Sequence, residues 1–277
     1  MSALLAASIN GDMTASASLA IEDRGLHYGD GLFETMLVRQ RSVVALEVHL
    51  QRLADGCSRL GIAPPRAATL KLEIDALLRN VNKHASDTVQ VCKLIVTRQG
   101  SRGYRGVLGA EGNRLLLLYS HQPAIGPESL TIRWCLTRLA RNPALAGMKH
   151  LNRLEQILAQ QEWQEGDFAE GLMLDMEDEL ICATAANVFA VIDGVLTTPD
   201  LRNSGVRGTM RTRVLNAAQL LDMTSQEGAL RSTDLAKASE VFLTNAVRGI
   251  RPVVKLDSYR WEVGPLTRKL ARALQLW

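Results

Sequence analysis

Four features of the chain could do chemistry. The first is Lys149, set between Met148 and His150 just ahead of leucines spaced as on one helix face, Leu151, Leu154 and Leu158. That spacing puts the amine at a strand- or loop-to-helix junction. A lysine whose stem is packed tends to lose its charge more readily, because desolvation disfavours the ammonium. A neutral amine can add to an aldehyde and shuttle protons. The alternative is a helix-start lysine that reaches to water along its stem.

The second feature is Gly205-Val206-Arg207-Gly208, which leads into a helical pattern. A glycine turn opening a helix presents backbone N–H groups and the positive end of the helix dipole, a setting for phosphate. Many helices begin at such a turn without a ligand. Third is Arg52, in a stripe with His49 and Arg59, which can either reach an anion or point to solvent. Last is the segment 98–106, with three arginines, Tyr104 and three glycines. Arginine and tyrosine on a loop suit a carboxylate, and a plain basic loop would read the same way. Taken together, an amine, a phosphate cradle, a helical arginine and an arginine/tyrosine loop describe a site for a phosphorylated aldehyde and an anionic substrate. Pyridoxal phosphate is the natural candidate.

The elements that must position these groups are legible in outline. Leu46, Leu50, Leu53, Cys57 and Leu60 mark an amphipathic helix over 46–60. A second helix is predicted over 70–81, after Pro64-Pro65. Residues 89–97 and 114–119 read as buried strands, and 36–38 with 43–45 as a hairpin. Asn10-Gly11 signals a hairpin between two short strands. Three glycines within 25–31 suit either a tight loop close to a ligand or a plain turn. Beyond 121–128, which has two prolines and a glycine and no periodicity, come strands at 132–136, 172–174, 180–183, 188–192 and 195–197. Asp193-Gly194 is a type I′ turn signal. A strand at 240–244 and a C-terminal amphipathic helix through Leu266, Leu270, Leu274 and Trp277 complete the pattern. We read two domains, 1–120 and 129–277, joined by a linker at 121–128, with Lys149 in the larger C-terminal one.

Composition limits the function classes. The 277 residues are 47% hydrophobic and 22% charged, as in an ordinary globular protein. A net charge of +3, spread along the chain, gives no nucleic-acid footprint. No apolar run approaches the roughly 20 residues of a membrane helix. The four cysteines are scattered without metal-ligand spacing. With no secretory pattern at the N-terminus, the expected compartment is the cytoplasm.

The motifs resemble those of the fold-type IV, class IV aminotransferase-like pyridoxal-phosphate family. The resemblance runs from Asn10-Gly11 to Pro252. It rests on Asp23-Arg24-Gly25, on 28–35, on His49 to Leu53, on Arg102-Gly103-Tyr104, on Lys149 to Gln156, on 186–189, on 205–208 and on Asn245-Ala246. The lysine segment, extended through Asn152-Arg153-Leu154-Glu155-Gln156, and Asn245-Ala246 are similar to the lyase branch of the family. The alternatives are its D-amino-acid and branched-chain aminotransferases, or a cofactor-binding relative with little catalysis.

The resemblance implies an α+β chain of two domains with the cofactor between them, in a homodimer whose partner loop completes each site. It implies that Lys149 holds the cofactor. Arg52 and the backbone N–H groups of Val206 and Arg207 would take the phosphate, and Asn245 would also border the cofactor. Tyr28 and Phe33 would line the pocket, while Arg102 and Tyr104 would meet substrate carboxylate. The family usually carries a glutamate five residues before Asn187, pairing with the cofactor's ring nitrogen. Here that position is Cys182. Either Cys182 acts as a thiolate beside a cationic ring, or the ring nitrogen is less basic here.

Overall fold

The computed structural model describes residues 3–81, 89–100, 102–122 and 129–276. It mixes helices and sheets in an α+β arrangement. Contacts divide the chain into two compact units. The first comprises Met1–Pro123 with Met148–Asn152, the second Ala124–Gly147 with Arg153–Trp277. Most of the expected linker, 123–128, lies outside the described residues, as does Trp277.

In the first unit the chain runs β1 (Leu4–Ile9), α1 (Arg24–Tyr28), β2 (Gly31–Arg39), β3 (Ser42–Val43), α2 (Leu46–Leu60), α3 (Ala67–Arg79), β4 (Gln90–Arg98) and β5 (Gly112–Ser120). Among the described residues its strands form one antiparallel sheet in the order β1-β5-β4-β2-β3. In β2, Leu32, Met36 and Val38 are buried on one face, against which α2 packs with Leu50, Leu53 and Cys57. The period-2 strand and the 3.6-period helix thus bury their apolar faces against each other. Glu34 lies on that same apolar face. Asn10 and Gly11 both take positive φ and close a turn from Ile9 to Asp12, but no second strand follows among the described residues before α1.

The second unit contains β6 (Leu130–Trp134), α4 (Leu154–Gln160), β7 (Glu170–Leu174), β8 (Leu180–Ala183), β9 (Asn187–Ile192), β10 (Val195–Pro199), α5 (Thr209–Leu220), β11 (Ser225–Gly228), a 3₁₀ turn (Ser232–Lys237), β12 (Ala238–Asn245), β13 (Gly249–Leu256), β14 (Tyr259–Arg260) and α6 (Pro265–Ala273). The described strands order as β11-β10-β9-β12-β13-β6-β7-β8, with β14 on β13. Side chains alternate between two cores. Val188, Ala190, Val241 and Leu243 enter one, whereas Phe189, Val191 and Phe242 enter the other with Met210 and Val214 of α5 and Leu270 of α6. Burial on both faces explains the near-continuous apolar runs. Phe189 and Phe242 stack with centroids 5.0 Å apart. Asp193 and Gly194 both have positive φ, as the turn from β9 to β10 requires.

One sequence assignment is corrected. Lys149 groups with the first unit rather than the C-terminal one, because the backbone of 149–151 hydrogen-bonds to β2.

Candidate active site

Lys149 is held through its backbone. The amide of Phe33 donates to the Lys149 carbonyl at 2.9 Å, and Leu151 donates to the Gly31 carbonyl at 3.0 Å. Asn152 donates from Nδ2 to the Gly29 carbonyl at 3.1 Å. Lys149 therefore sits outside any helix, and α4 begins five residues on, at Leu154. Its amine lies 4.2 Å from the centre of the Phe33 ring, and the Lys93 amine lies 5.3 Å from the same ring. Phe33 is on the face of β2 opposite Leu32 and Glu34, so strand alternation presents it to the lysine.

Beneath α2, Glu34 is 1% exposed. Its Oε2 contacts His49 Nδ1 at 2.6 Å, while Arg52 donates from Nε to Oε1 at 2.8 Å and from Nη2 to Oε2 at 2.5 Å. Burial works to raise the Glu34 carboxyl, yet the hydrogen bond from His49 and the charge and hydrogen bond of Arg52 outweigh it and hold it below the usual carboxylate range. Arg52 is thereby oriented on one edge by a fixed bidentate grip. The sequence marked His49 and Arg52 as one stripe but missed their carboxylate. Its signal was a lone acid in an otherwise apolar strand face.

Tyr28 and Tyr104 are brought together, with Arg102 on the same loop. Gly103 donates its N–H to the Tyr28 hydroxyl at 3.0 Å, and the Tyr28 and Tyr104 rings lie 5.7 Å apart. The Tyr104 side chain is 94% exposed, and Arg102 is exposed as well. Tyr28 thus holds the loop in place, a role the sequence did not suggest.

In the second unit three turns converge. Asn187 donates from Nδ2 to the Val206 carbonyl at 2.8 Å and accepts at Oδ1 from the Gly208 N–H at 3.1 Å. A Cβ at position 208 would overlap Asn187 Oδ1, which is why glycine stands there. Asn245 donates from Nδ2 to the Ala185 carbonyl at 3.3 Å and accepts from the N–H groups of Val247 and Arg248. Buried Glu170 steadies the turn before Asn187: its Oε2 accepts from the Thr184 hydroxyl at 2.5 Å, and its Oε1 from Arg251 at 3.1 Å.

The expectation that both Val206 and Arg207 offer backbone N–H groups to a phosphate is corrected at Arg207. Its amide donates to the Gly147 carbonyl at 3.0 Å, within a bridge that pairs Gly147 with Val206.

Cys182 lies in β8 opposite Met173 and is 7% exposed. Burial pushes its thiol up to about 12; the Arg153 charge acts the other way and is outweighed. Among the protein's own groups the thiol is therefore neutral near pH 7. Among the described residues all four cysteines are free, and no cluster of His, Cys, Asp or Glu could hold a metal ion. None of the described helices is long and apolar enough to cross a membrane.

A family model, amino-transferase class IV, matches residues 31–256. The chain belongs to that family. The family depends on pyridoxal phosphate, and each unit taken by itself carries groups of the kind that cofactor needs: an amine over an aromatic ring and a fixed guanidinium in the first, a helix start braced by Asn187 in the second. The chain is 32% identical to the aminodeoxychorismate lyase of Vibrio harveyi, over 90% of this chain and 92% of that one. It is 29% identical to a putative branched-chain-amino-acid aminotransferase of Methanocaldococcus jannaschii, over 92% and 89%. A crystal structure of 4-amino-4-deoxychorismate lyase from Pseudomonas aeruginosa superposes with a TM-score of 0.86 at 42% identity, covering 97% of this chain and 98% of that one.

Proposed function

We propose that this protein is a pyridoxal-phosphate-dependent lyase that converts 4-amino-4-deoxychorismate to p-aminobenzoate and pyruvate, a step toward folate. The observation that carries the reading is the similarity, over nearly the whole chain, to two lyases of that reaction. Bound pyridoxal phosphate supplies an aldehyde for the substrate amine and a ring that accepts electrons. Lys149 holds the cofactor, removes the proton from the carbon bearing nitrogen, and returns a proton to the departing three-carbon group. Arg52, oriented by Glu34, binds phosphate together with the start of α5. Arg102 and Tyr104 take the substrate's carboxylates.

If Cys182 takes the place of the family's glutamate, its buried neutral thiol would offer the ring nitrogen no charge. Elimination is driven by aromatisation of the product and tolerates a weaker electron sink than amino transfer does. The exposed apolar side chains Leu154, Ile157 and Leu158 of α4 support a homodimer, and free cysteines suit a cytoplasmic enzyme.

The test supplies the purified holoenzyme with aminodeoxychorismate. Equal p-aminobenzoate and pyruvate, with no amino form of the cofactor accumulating, is the expected result. Efficient amino transfer between common amino and keto acids, without pyruvate release, would replace the lyase by an aminotransferase.

A further inference from the structure

The loop that carries Arg102 and Tyr104 is tied down from below by two arginines that the proposed chemistry does not use. Arg24 is 3% exposed and Arg98 7% exposed. Both donate from Nε to the same oxygen, Asp30 Oδ2, at 2.8 Å and 2.9 Å. Arg24 also reaches the loop backbone, with Nη1 donating to the Gly103 carbonyl at 2.5 Å and Nη2 to the Tyr104 carbonyl at 3.3 Å. Arg98 donates from Nη1 to the carbonyls of Gly61 and Val107, and from Nη2 to that of Leu60, so it joins the far end of the loop to the end of α2. The Arg24 guanidinium also lies over the Tyr28 ring, 5.0 Å from its centre, and the Tyr28 hydroxyl accepts from the Gly103 N–H. Gly106 completes the fit, since a Cβ there would run into Cδ and Nε of Arg98.

Exposed loops rarely have their carbonyls gripped by buried charges. Here the grip fixes backbone, while the side chains of Arg102, Tyr104 and Arg105 stay exposed. Burial works to raise the Asp30 carboxyl, but the hydrogen bonds and charges of Arg98 and Arg24 outweigh it and hold it below the usual range. Asp30 therefore stays an anion and keeps both forks aimed.

We propose that Arg24, locked by Asp30 and backed by Arg98, is a positioning residue for substrate: it sets the backbone of Gly103–Tyr104 and so aims Arg102 and Tyr104 at the substrate's carboxylates. The inference rests on the reading of that loop as the carboxylate grip. It assigns Arg24 no contact with substrate or cofactor. A lysine at position 24 would keep the charge but lose the planar fork that serves one carboxylate and two carbonyls at once.

The experiment compares the parent holoenzyme with Arg24→Lys, Tyr28→Phe and Arg102→Ala. Its readouts are KM and kcat for aminodeoxychorismate, cofactor retention through dialysis, and the rate of limited trypsin cleavage after Arg105. Arg24→Lys is expected to raise KM roughly tenfold or more, with a smaller change in kcat, and to speed cleavage by a similar factor while retaining cofactor. Tyr28→Phe, which deletes one tether and keeps the ring, is expected to speed cleavage less, and it serves as the second variant if Arg24→Lys does not fold. Arg102→Ala should raise KM without faster cleavage. If Arg102→Ala leaves KM unchanged, the carboxylate reading of the loop fails. If Arg102→Ala raises KM but Arg24→Lys and Tyr28→Phe leave either KM or cleavage at the parent value, the positioning role is overturned.

Discussion

Cys182 stands where the family usually has a glutamate, and two readings of it were open, a thiolate or a less basic ring nitrogen. A cysteine beside a cationic ring suggested a thiolate, because a nearby positive charge lowers a thiol's pKa. In the structure desolvation is the larger effect, and the thiol is pushed up to about 12. Iodoacetamide at pH 8 is therefore expected to leave Cys182 unmodified in the native protein and to label it on unfolding, as peptide mapping would read. Native labelling would contradict the neutral thiol. Cys182→Glu is expected to retain cofactor and to raise side amino transfer, since a carboxylate restored at this position would pair with the ring nitrogen and strengthen the electron sink; no rise would detach Cys182 from the ring.

Arg52 makes the opposite case, because its stripe with His49 was legible while its partner was not. Arg52→Ala is expected to weaken cofactor affinity by roughly one to two decades, the worth of a charge-assisted bond. Retention through dialysis equal to the parent's would sink that role. Glu34→Gln breaks a buried pair and should cost about 3–5 kcal/mol near neutral pH. The sign follows from the depressed carboxyl. Its stabilisation is full above the ordinary carboxylate range and is lost as pH falls through the folded value. Urea melts should therefore show parent and variant converging as the solution is acidified, and a gap that is constant with pH would refute the linkage.

At the level of elements, helix α2 was legible because its heptad-like leucines bury one face whatever lies opposite. The turns at Asn10-Gly11 and Asp193-Gly194 were legible from backbone chemistry. The pairing of 149–151 with β2 was not, because residues more than a hundred positions apart leave no periodic trace when they exchange a few backbone bonds. The convergence of Asn187, Val206 and Gly208 was hidden for the same reason, although Gly208 was conspicuous as a glycine. Its reason is the Asn187 side chain, which fills the space a Cβ would take. Gly208→Ala should displace Asn187 from the Gly208 N–H and the Val206 carbonyl, at a cost of about 1–3 kcal/mol. Thermal unfolding with and without added pyridoxal phosphate checks it. We expect a lowered Tm and a smaller upward shift on adding cofactor; an unchanged shift would detach this turn from the phosphate.

For the whole molecule, periodicity gave the separate helices and strands and the family resemblance implied an α+β chain of two domains, but neither told that the lysine segment folds with the N-terminal unit. Periodicity also gave the helical spacing of Leu154 and Leu158 without saying that this face is left bare. In the structure Leu154 is 72%, Ile157 51% and Leu158 55% exposed. A helix normally turns such a stripe inward, and contiguous exposed apolar surface marks an interaction site. A second copy of the chain burying this stripe would account for it. Sedimentation at micromolar concentration is expected to give twice the chain mass for the parent. The double variant Leu154→Glu, Ile157→Lys should sediment as a monomer while keeping the parent's far-UV spectrum, because neither side chain is buried in the single chain. A parent that sediments as a monomer would end the dimer proposal. A double variant that remains dimeric would move the interface to another face and leave the bare stripe of α4 without its explanation.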